Sequence, residues 1–569
     1  MAGRTPRIEP PDPSTFASLV DLIDDAAERY RDAEALTILR EDGSRATWTF
    51  PEFRRRSELA ASRLRHELGL QPGDRMLTWS PSAREVPAVY TGAMRAGVIF
   101  VPLDLRMAPE AMQRIGERSE AKALAYGTGR DAGDPKQVGL GAYPARSVDE
   151  LTADAPSPAE EDAWISEVRS WPRPTRDDVF EIVYTSGTTG TPKGVMLTHG
   201  NLLATIEGGT KVIEVKHHRV VSVLPLSHLF EQLVFYYAMS LGAPILYVRW
   251  RSARVLLEAI REHRTTTMVV VPQILELFWT ALTREMERRG ALPAFNALRA
   301  IARHLPYPIR RRLFTSIHRQ LGGELTLFIC SGAFLPPALQ QGWEDLGVIV
   351  QQGFGATETG LATVTTKRDH GLGTVGRPMP PNEVSLADDG EILVRGPAVF
   401  KGYWEDPAAT AGAFDADGWY RTSDVGHWDP KGHLVLSGRK KNMIVLPNGF
   451  NVFPEDIENE LHTSGIREAV VLETSPGRIE AVVLAGAGPA APRPVGEHRE
   501  GASAVTISNE ERARIDAAIK DANRRLGISQ RVEGWRLWPE EDFPRTHTLK
   551  VKRGQVRAWV AADTPLPVA

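Results

Sequence analysis

Residues 185 to 193, TSGTTGTPK, crowd hydroxyl side chains, two glycines and a lysine into nine positions, directly after the short apolar run Ile182-Val183-Tyr184. Glycine lets backbone N–H groups approach an anion, hydroxyls donate hydrogen bonds, and Lys193 adds a positive charge, so the segment suits a polyphosphate. The same residue types also build ordinary polar turns. A Walker loop is excluded because GxxxxGK[ST] fails where Thr191-Pro192-Lys193 stands, which argues against a kinase or P-loop ATPase. Gly371-Leu372-Gly373-Thr374-Val375-Gly376 satisfies GxGxxG, yet Pro378, Pro380 and Pro381 follow where a helix would have to continue. It reads as a loop, not as a dinucleotide site.

No nucleophile-elbow signature occurs, and Cys330, the only cysteine, sits in LTLFICSG, which reads as a strand end. One cysteine excludes an intramolecular disulfide framework and any multi-cysteine metal cluster, and suits a reducing, cytoplasmic setting. The 68 basic against 72 acidic residues leave a formal charge of −4, so nothing global argues for nucleic acid or a membrane surface. The N-terminal MAGRTPRIEPPDPS lacks the apolar stretch of a secretory signal. The uncharged run 232 to 248 is broken by Gly242-Ala243-Pro244. It predicts a buried helix, turn and strand, with no transmembrane segment.

With 569 residues, more than one domain is expected. Short β-rich runs such as 220–224 and 267–271 alternate with longer helical stretches, the pattern of an α/β domain with partly parallel sheets. Residues 127 to 178, poor in period and dotted with prolines, read as surface connection. After about Arg439 come strands at 469–472 and 481–484, a Gly/Ala/Pro-rich loop at 485–503, and a helix. Ser508 and Glu511 make a capping box for that helix, Ile515, Ile519, Ala522 and Leu526 its apolar face, and Gly527 its stop.

Seven segments in order resemble the adenylate-forming superfamily of acyl- and aryl-CoA synthetases, carrier-protein-loading adenylation domains and firefly-type luciferases. They are GAMRAGVIFVPLD (92–104), YTSGTTGTPKGVMLTHGNL (184–202), LPLSHLFEQ (224–232), QQGFGATETG (351–360), GWYRTSDVG (418–426), GRKKNMIVLPNGFNVFPEDIE (438–458) and PRTHTLKVKR (544–553). The resemblance implies a large N-terminal adenylate-forming domain with α/β sheets, residues 1–440, and a small mobile α+β C-terminal domain, 441–569.

Carried over by position, the resemblance implies that Thr185, Ser186, Gly187, Thr188, Thr189, Gly190 and Lys193 hold the phosphates of ATP. Gly332, Ala333, Gln352, Gly353 and Gly355 would line the nucleotide site and Phe354 would stack on adenine. Thr357 would touch the α-phosphate, Glu358 would ligate Mg²⁺ with Thr185, and Asp424 and Arg439 would hold the ribose. Lys550 is the implied adenylation lysine, Lys441 the hinge between the two half-reactions, and Gly449 would sit near the thiol face. The residue types agree: an aromatic face suits a purine, and carboxylate or hydroxyl oxygens suit magnesium. Taken singly, Phe354 equally suits a core, Glu358 and Asp424 solvated loops, and Arg439 a surface ion pair.

The implied chemistry joins a carboxylate to ATP, giving acyl-AMP and pyrophosphate, after which a thiol displaces AMP. LPLSHLFEQ, VPQILELFW (271–279) and the TLKVKR ending resemble long-chain fatty acyl-CoA synthetases, which implies a fatty acid, coenzyme A as acceptor, and His228 and Phe230 beside the acyl channel. An acyl carrier protein as acceptor, an aryl acid, a luciferase-like oxygenase and a non-catalytic binding module are the rival readings. Three positions depart from commoner family patterns: Leu549 and Ser423, where glycine is frequent, and Val445, where several members have lysine.

Overall fold

The computed structural model describes residues 9–40, 42–129, 132–185, 192–212, 217–249, 253–446, 451–486, 507–545 and 550–562. Two large sheets form the bulk of the chain. The first runs, among the described residues, in the order Arg377–Pro378, Gly360–Val364, Ile349–Ala356, Leu327–Cys330, Thr267–Val270, Val220–Ser222, Ile245–Val248, Glu34–Leu39, Arg45–Thr49. Its six inner strands, from Ile349–Ala356 to Glu34–Leu39, are mutually parallel, and antiparallel strands close both edges. The second is ordered Gly402–Tyr403, Lys193–Thr198, Val179–Thr185, Ile99–Leu103, Arg75–Trp79, Ala121–Tyr126, Ala145–Ser147. A four-stranded antiparallel sheet, Glu383–Leu386, Glu391–Arg395, Tyr420–Trp428 and Leu434–Arg439, follows in the chain. Parallel strands buried on both faces read as apolar runs, and Leu327–Cys330 and Thr267–Val270 are buried throughout.

The uncharged run at 232–248 folds as expected. Helix Leu229–Leu241 stops at Gly242, whose φ of 65° is a left-handed cap, and the strand Ile245–Val248 follows. Only glycine fits there for space as well, since a Cβ would lie 2.6 Å from the Tyr30 ring. Phe235, Tyr236 and Met239 of this helix are buried, each contributing about 1.5–3 kcal/mol of transfer free energy. The GxGxxG decoy is a loop, and Cys330 is a buried strand end whose thiol burial pushes far above its ordinary range.

Residues 127–178 depart from the expected surface connection: Val148–Thr152 and Pro158–Ser170 are helices. The signals were caps, not periods. Ser147 accepts from the Glu150 amide while Glu150 accepts from the Ser147 amide, and Ser157 accepts from the Glu160 amide with Pro158 in the first turn, where proline costs no hydrogen bond. Only Val168 of the second helix is buried, so no apolar stripe marks it.

Beyond residue 443 the chain folds around its own core of Ile457, Leu461, Val471, Ala481, Ile515 and Ile519. A sheet of Ala469–Ser475, Arg478–Val483 and Gly534–Leu537 packs with helices Pro454–Thr463, Asn509–Arg525 and Arg553–Ala561. Among the described residues no hydrophobic cluster contains side chains from both sides of residues 437–443. The box at Ser508 is half formed: Ser508 accepts from the Glu511 amide, but the Glu511 carboxylate accepts from the Gly486 amide instead. No described helix is long and apolar enough to cross a membrane.

One buried acid joins the two large sheets' machinery. Glu181, on the strand Val179–Thr185, is fully buried and accepts from Gln232 Nε2 at 2.6 Å, and burial pushes its carboxyl up to about 8. A raised carboxyl favours folding while protonated and loses that contribution as pH rises from the ordinary 4.5 through 8. Glu181→Gln should therefore gain in thermal midpoint relative to the parent as pH increases across that interval, then level off; a difference that does not vary with pH would refute the assignment.

Candidate functional site

The parallel strands of both sheets end at one cleft of about 3420 Å³, the place where open α/β sheets bind ligands. At its phosphate end, Thr185 closes one strand and Lys193 opens the next, and the two stand opposite each other in antiparallel register. Ser186, Gly187, Thr188, Thr189 and Gly190, which join them, lie outside the described residues. Lys193 Nζ stands 4.8 Å from the centroid of the Tyr403 ring, and Tyr403 OH donates to Glu358 Oε1 at 3.3 Å. Burial raises the Glu358 carboxyl above its ordinary range, against the Tyr403 hydrogen bond and the charges of Arg439 and Lys193. Sequence reasoning missed Tyr403, which reaches the site because Gly402–Tyr403 pairs with Val195 and Met196 across 206 residues of chain.

Glu358 follows the strand Ile349–Ala356, whose turn requires glycine: a Cβ on Gly355 would meet the Gly360 carbonyl oxygen at 2.0 Å. Gly353 and Thr357 line the same cleft. Gln352 is tied by its amide to Gln340 at 2.9 Å, so its side chain is spoken for. Phe354 is 6% exposed and packs with Ile392, Val394 and Leu434, yet it borders the cleft. It is thus a core residue at the edge of the cleft. Gly332, with φ of 88°, and Ala333 follow the strand Leu327–Cys330 at the cleft.

Asp424 and Arg439 are register partners in the antiparallel hairpin Tyr420–Trp428/Leu434–Arg439, and Arg439 Nε lies 2.7 Å from Asp424 Oδ1. Burial raises the Asp424 carboxyl, opposed by Arg439, Lys550 and Lys441. Ser423 carries φ of 59°, a left-handed conformation that glycine adopts at less cost. Lys440 is anchored to Asp389 at 2.6 Å and Glu391 at 3.0 Å, while the adjacent Lys441 is exposed in the short turn Lys440–Asn442.

Lys550 comes from the far side of the cleft. Its segment is pinned at the base by the bridge Arg545–Val551, the Lys552 amide donating to the Pro544 carbonyl at 2.7 Å, and an ion pair from Arg553 to Glu458. The side chain faces the open cleft, yet surrounding protein desolvates its ammonium enough to lower it, helped by Arg439 and Lys441 and opposed by Asp424 and Glu358. The lysine therefore sits within the field of Glu358, which follows a strand of the first large sheet, and of Asp424 in the four-stranded sheet. His462 and Glu276 make a further ion pair of 3.3 Å across this seam, and the Glu276 hydrogen bond raises the His462 imidazole. Leu549 and Gly449 lie outside the described residues, and Val445 is 58% exposed.

His228 and Phe230 both border the cleft. Asp104, missed in the sequence though it ends the segment 92–104, lies 2.9 Å from His228 Nε2 and 2.9 Å from an Arg106 nitrogen. Burial alone would raise its carboxyl, but those two partners hold it well below the usual range. From there an apolar channel follows helix Leu229–Leu241 past Leu233, Val234 and Ala238. Along that helix the Tyr237 hydroxyl donates to the Gly209 carbonyl at 3.4 Å, its ring meets His218 edge-on at 6.0 Å, and His218 Nδ1 is 3.1 Å from Thr267 Oγ1.

Among the described residues no group of three or more His, Cys, Asp or Glu could cage a metal. One carboxylate and a hydroxyl, Glu358 and Thr185, are nonetheless the sparse hard-oxygen set that suits Mg²⁺ bound chiefly through nucleotide phosphates.

Residues 23–404 match the family described as AMP-binding enzyme. The long-chain-fatty-acid–CoA ligase FadD15 of Mycobacterium bovis is 30% identical over 542 residues, covering 87% of this chain and 88% of the relative. Long-chain-fatty-acid–CoA ligase 6 of Mus musculus is 35% identical over 314 residues, 51% of this chain and 45% of that protein. Among solved structures, the Bacillus subtilis o-succinylbenzoate CoA synthetase in complex with its acyl-adenylate intermediate superposes with a TM-score of 0.72 at 21% identity, over 94% of this chain and 97% of that one. A Mycobacterium tuberculosis fatty acyl CoA synthetase superposes with a TM-score of 0.62 at 23% identity, over 96% and 99%.

Proposed function

Because the chain belongs to the AMP-binding enzyme family, we propose that it activates a fatty acid with ATP as acyl-AMP and then transfers the acyl group to coenzyme A. The observation that carries this reading is the meeting of Lys550 with Glu358, Asp424 and Arg439 across the seam between two independently packed units. We place the domain boundary at that seam, with 1–440 binding nucleotide and acid and 441–569 moving about Lys441. The FadD15 relative is named a long-chain-fatty-acid ligase, which supports the fatty acid and coenzyme A. The lone buried Cys330 suits a cytoplasmic setting.

In the first half-reaction a carboxylate oxygen forms a bond to the α-phosphorus of ATP as the bond to pyrophosphate breaks. Lys193 and the hydroxyls of the 185–191 loop hold the departing phosphates, and Thr357 and Lys550 meet the charge developing on the α-phosphate. Glu358 and Thr185 would hold Mg²⁺ together with the phosphates, whose charge the ion would neutralise. Asp424 and Arg439 fix the ribose, and Phe354 with Gly353 and Gly355 borders the adenine. In the second half a thiolate attacks the acyl carbonyl, a thioester forms and AMP leaves. Lys440, tied to Asp389 and Glu391, keeps the large unit's end of the link fixed while Lys441 turns.

The test is acid-dependent exchange of labelled pyrophosphate into ATP, followed by release of AMP on adding coenzyme A. No exchange with any fatty or aromatic acid would end the enzymatic reading; exchange with acyl transfer only to a carrier protein would replace the acceptor.

The channel also supports a length limit. Nine residues of helix from His228 to Tyr237 rise about 13 Å, the span of roughly ten carbons at about 1.3 Å per extended bond. We place the end of the acyl chain at the Tyr237 ring, so Tyr237→Ala should shift the preferred acid toward chains about two to four carbons longer. An unchanged chain-length profile would show that Tyr237 does not end the channel.

A further inference from the structure

The channel beside helix Leu229–Leu241 enters a space walled by apolar side chains. Ile206 of helix His199–Val212, Val234 and Ala238 of helix Leu229–Leu241, and Val220, Val269 and Ile329 of the first sheet are all buried and all border the cleft. Three polar residues gather in this wall. Tyr237, His218 and Thr267 border the same space, the Tyr237 ring meets His218 edge-on, and His218 Nδ1 lies 3.1 Å from Thr267 Oγ1.

Sheet register fixes where along the channel this cluster lies. Thr267 pairs with Val220 and Leu327, and Leu327 with Ile349, so these residues form one row across the parallel strands. Three residues on, Val270, Cys330 and Gln352 form a second row, from which the chain continues to Gly332, Gly353 and Glu358 at the nucleotide end. At about 3.3 Å per residue the rows stand about 10 Å apart, in agreement with the rise of about 13 Å from His228 to Tyr237. The polar cluster therefore lies at the end of the channel opposite the nucleotide.

A hydrocarbon terminus suits the wall but not this end. Tyr237 is half-buried, yet the surrounding protein pushes its phenol far above its ordinary range, so the accessible part of the side chain opens on an enclosed space and not on bulk water. Its hydroxyl donates to the Gly209 carbonyl over a long 3.4 Å and keeps lone pairs on Oη that can accept a hydrogen bond. A methyl group packed against that oxygen would strip it of water without returning a hydrogen bond.

We propose that the acid carries a hydroxyl at its far end, so that the site selects ω-hydroxylated acids of about ten carbons. The terminal O–H donates to Tyr237 Oη while the alkyl chain lies on the apolar wall, and His218, itself held by Thr267, steadies the ring. This selection rests on the ligase reading and names its substrate class. A second carboxylate in place of the hydroxyl would bring a charge into the apolar space, and the cluster holds no permanently charged group to balance it.

Acid-dependent pyrophosphate exchange with matched pairs of acids, methyl-ended and ω-hydroxylated, from octanoic to hexadecanoic, tests it. In the parent chain the hydroxylated member should have the higher kcat/KM by about tenfold, the scale of one polar group left without its partner. That advantage should be confined to pairs whose end reaches Tyr237, within about two carbons of the length given above. Tyr237→Phe keeps the ring and removes the acceptor, so the ratio within each pair should fall to one or below. Both members are measured on the same variant, so a general loss of activity cancels. Methyl-ended acids preferred at every length in the parent, or an advantage that survives in Tyr237→Phe, would overturn the proposal without touching the ligase reading. A preference for α,ω-diacids over the hydroxy acids would overturn it as well. Absence of exchange with every acid would instead strike the ligase reading, and the selection with it.

Discussion

Lys550→Ala is expected to slow acid-dependent pyrophosphate exchange by about 10²–10³-fold, the scale of removing one preorganised contact to transition-state charge. The thioester half, started from supplied acyl-AMP and coenzyme A, should fall by less than about threefold, because the lysine belongs to one arrangement of the two units and not the other. Lys550→Arg keeps the charge but changes length and shape, so it should recover only part of the loss. The pH profile supplies a second readout. Burial, Arg439 and Lys441 lower the Lys550 ammonium below its ordinary 10.5, so adenylation should decline on the alkaline side before a free lysine would titrate, and that limb should vanish in the arginine variant. Equal losses in both halves would contradict a role confined to adenylation.

Glu358→Gln should cost exchange about 10²–10³-fold and move the Mg²⁺ requirement to higher concentration. The glutamine preserves shape and the Tyr403 hydrogen bond while removing the charge, so a loss of this size with an unchanged fold isolates the carboxylate. Its acid limb follows from burial: as pH falls, a carboxyl raised above its usual range protonates sooner than a free glutamate would. Activity in the parent chain should therefore drop on that limb, and Tyr403→Phe, which removes a hydrogen bond that favours the charged form, should move the limb upward in pH. A glutamine variant with the parent's Mg²⁺ dependence would exclude Glu358 as the metal-side ligand.

Much of the site was legible because its residues lie in short runs with strong local chemistry. Thr185 and Lys193 flank one loop, Thr357 and Glu358 follow one strand, and Asp424 and Arg439 sit in two named segments. What was not legible depends on pairings distant in sequence. Tyr403 meets Glu358 through a strand added to the edge of the second sheet, and Asp104 meets His228 across 124 residues. Glu181 and Gln232 are buried against each other across 51 residues of chain. The helices at 148–152 and 158–170 were hidden for the opposite reason: their evidence was local, in the caps at Ser147 and Ser157, while the apolar period usually sought was absent.

The hairpin that carries Asp424 and Arg439 has a consequence for how such a sequence can drift. The two residues face each other because the strands keep one register, with an irregularity between Val425 and Gly426. Side chains alternate faces along a strand, so a residue gained or lost between either functional group and the turn would send that group to the opposite face unless a bulge absorbed it. The turn at residues 429–433 is free of that constraint, because extra length there lengthens the loop without sliding the ladder. Insertions should therefore be tolerated at the tip and purged from the arms, and a library of single-residue insertions across 420–439 would trace that boundary as a sharp edge in survival.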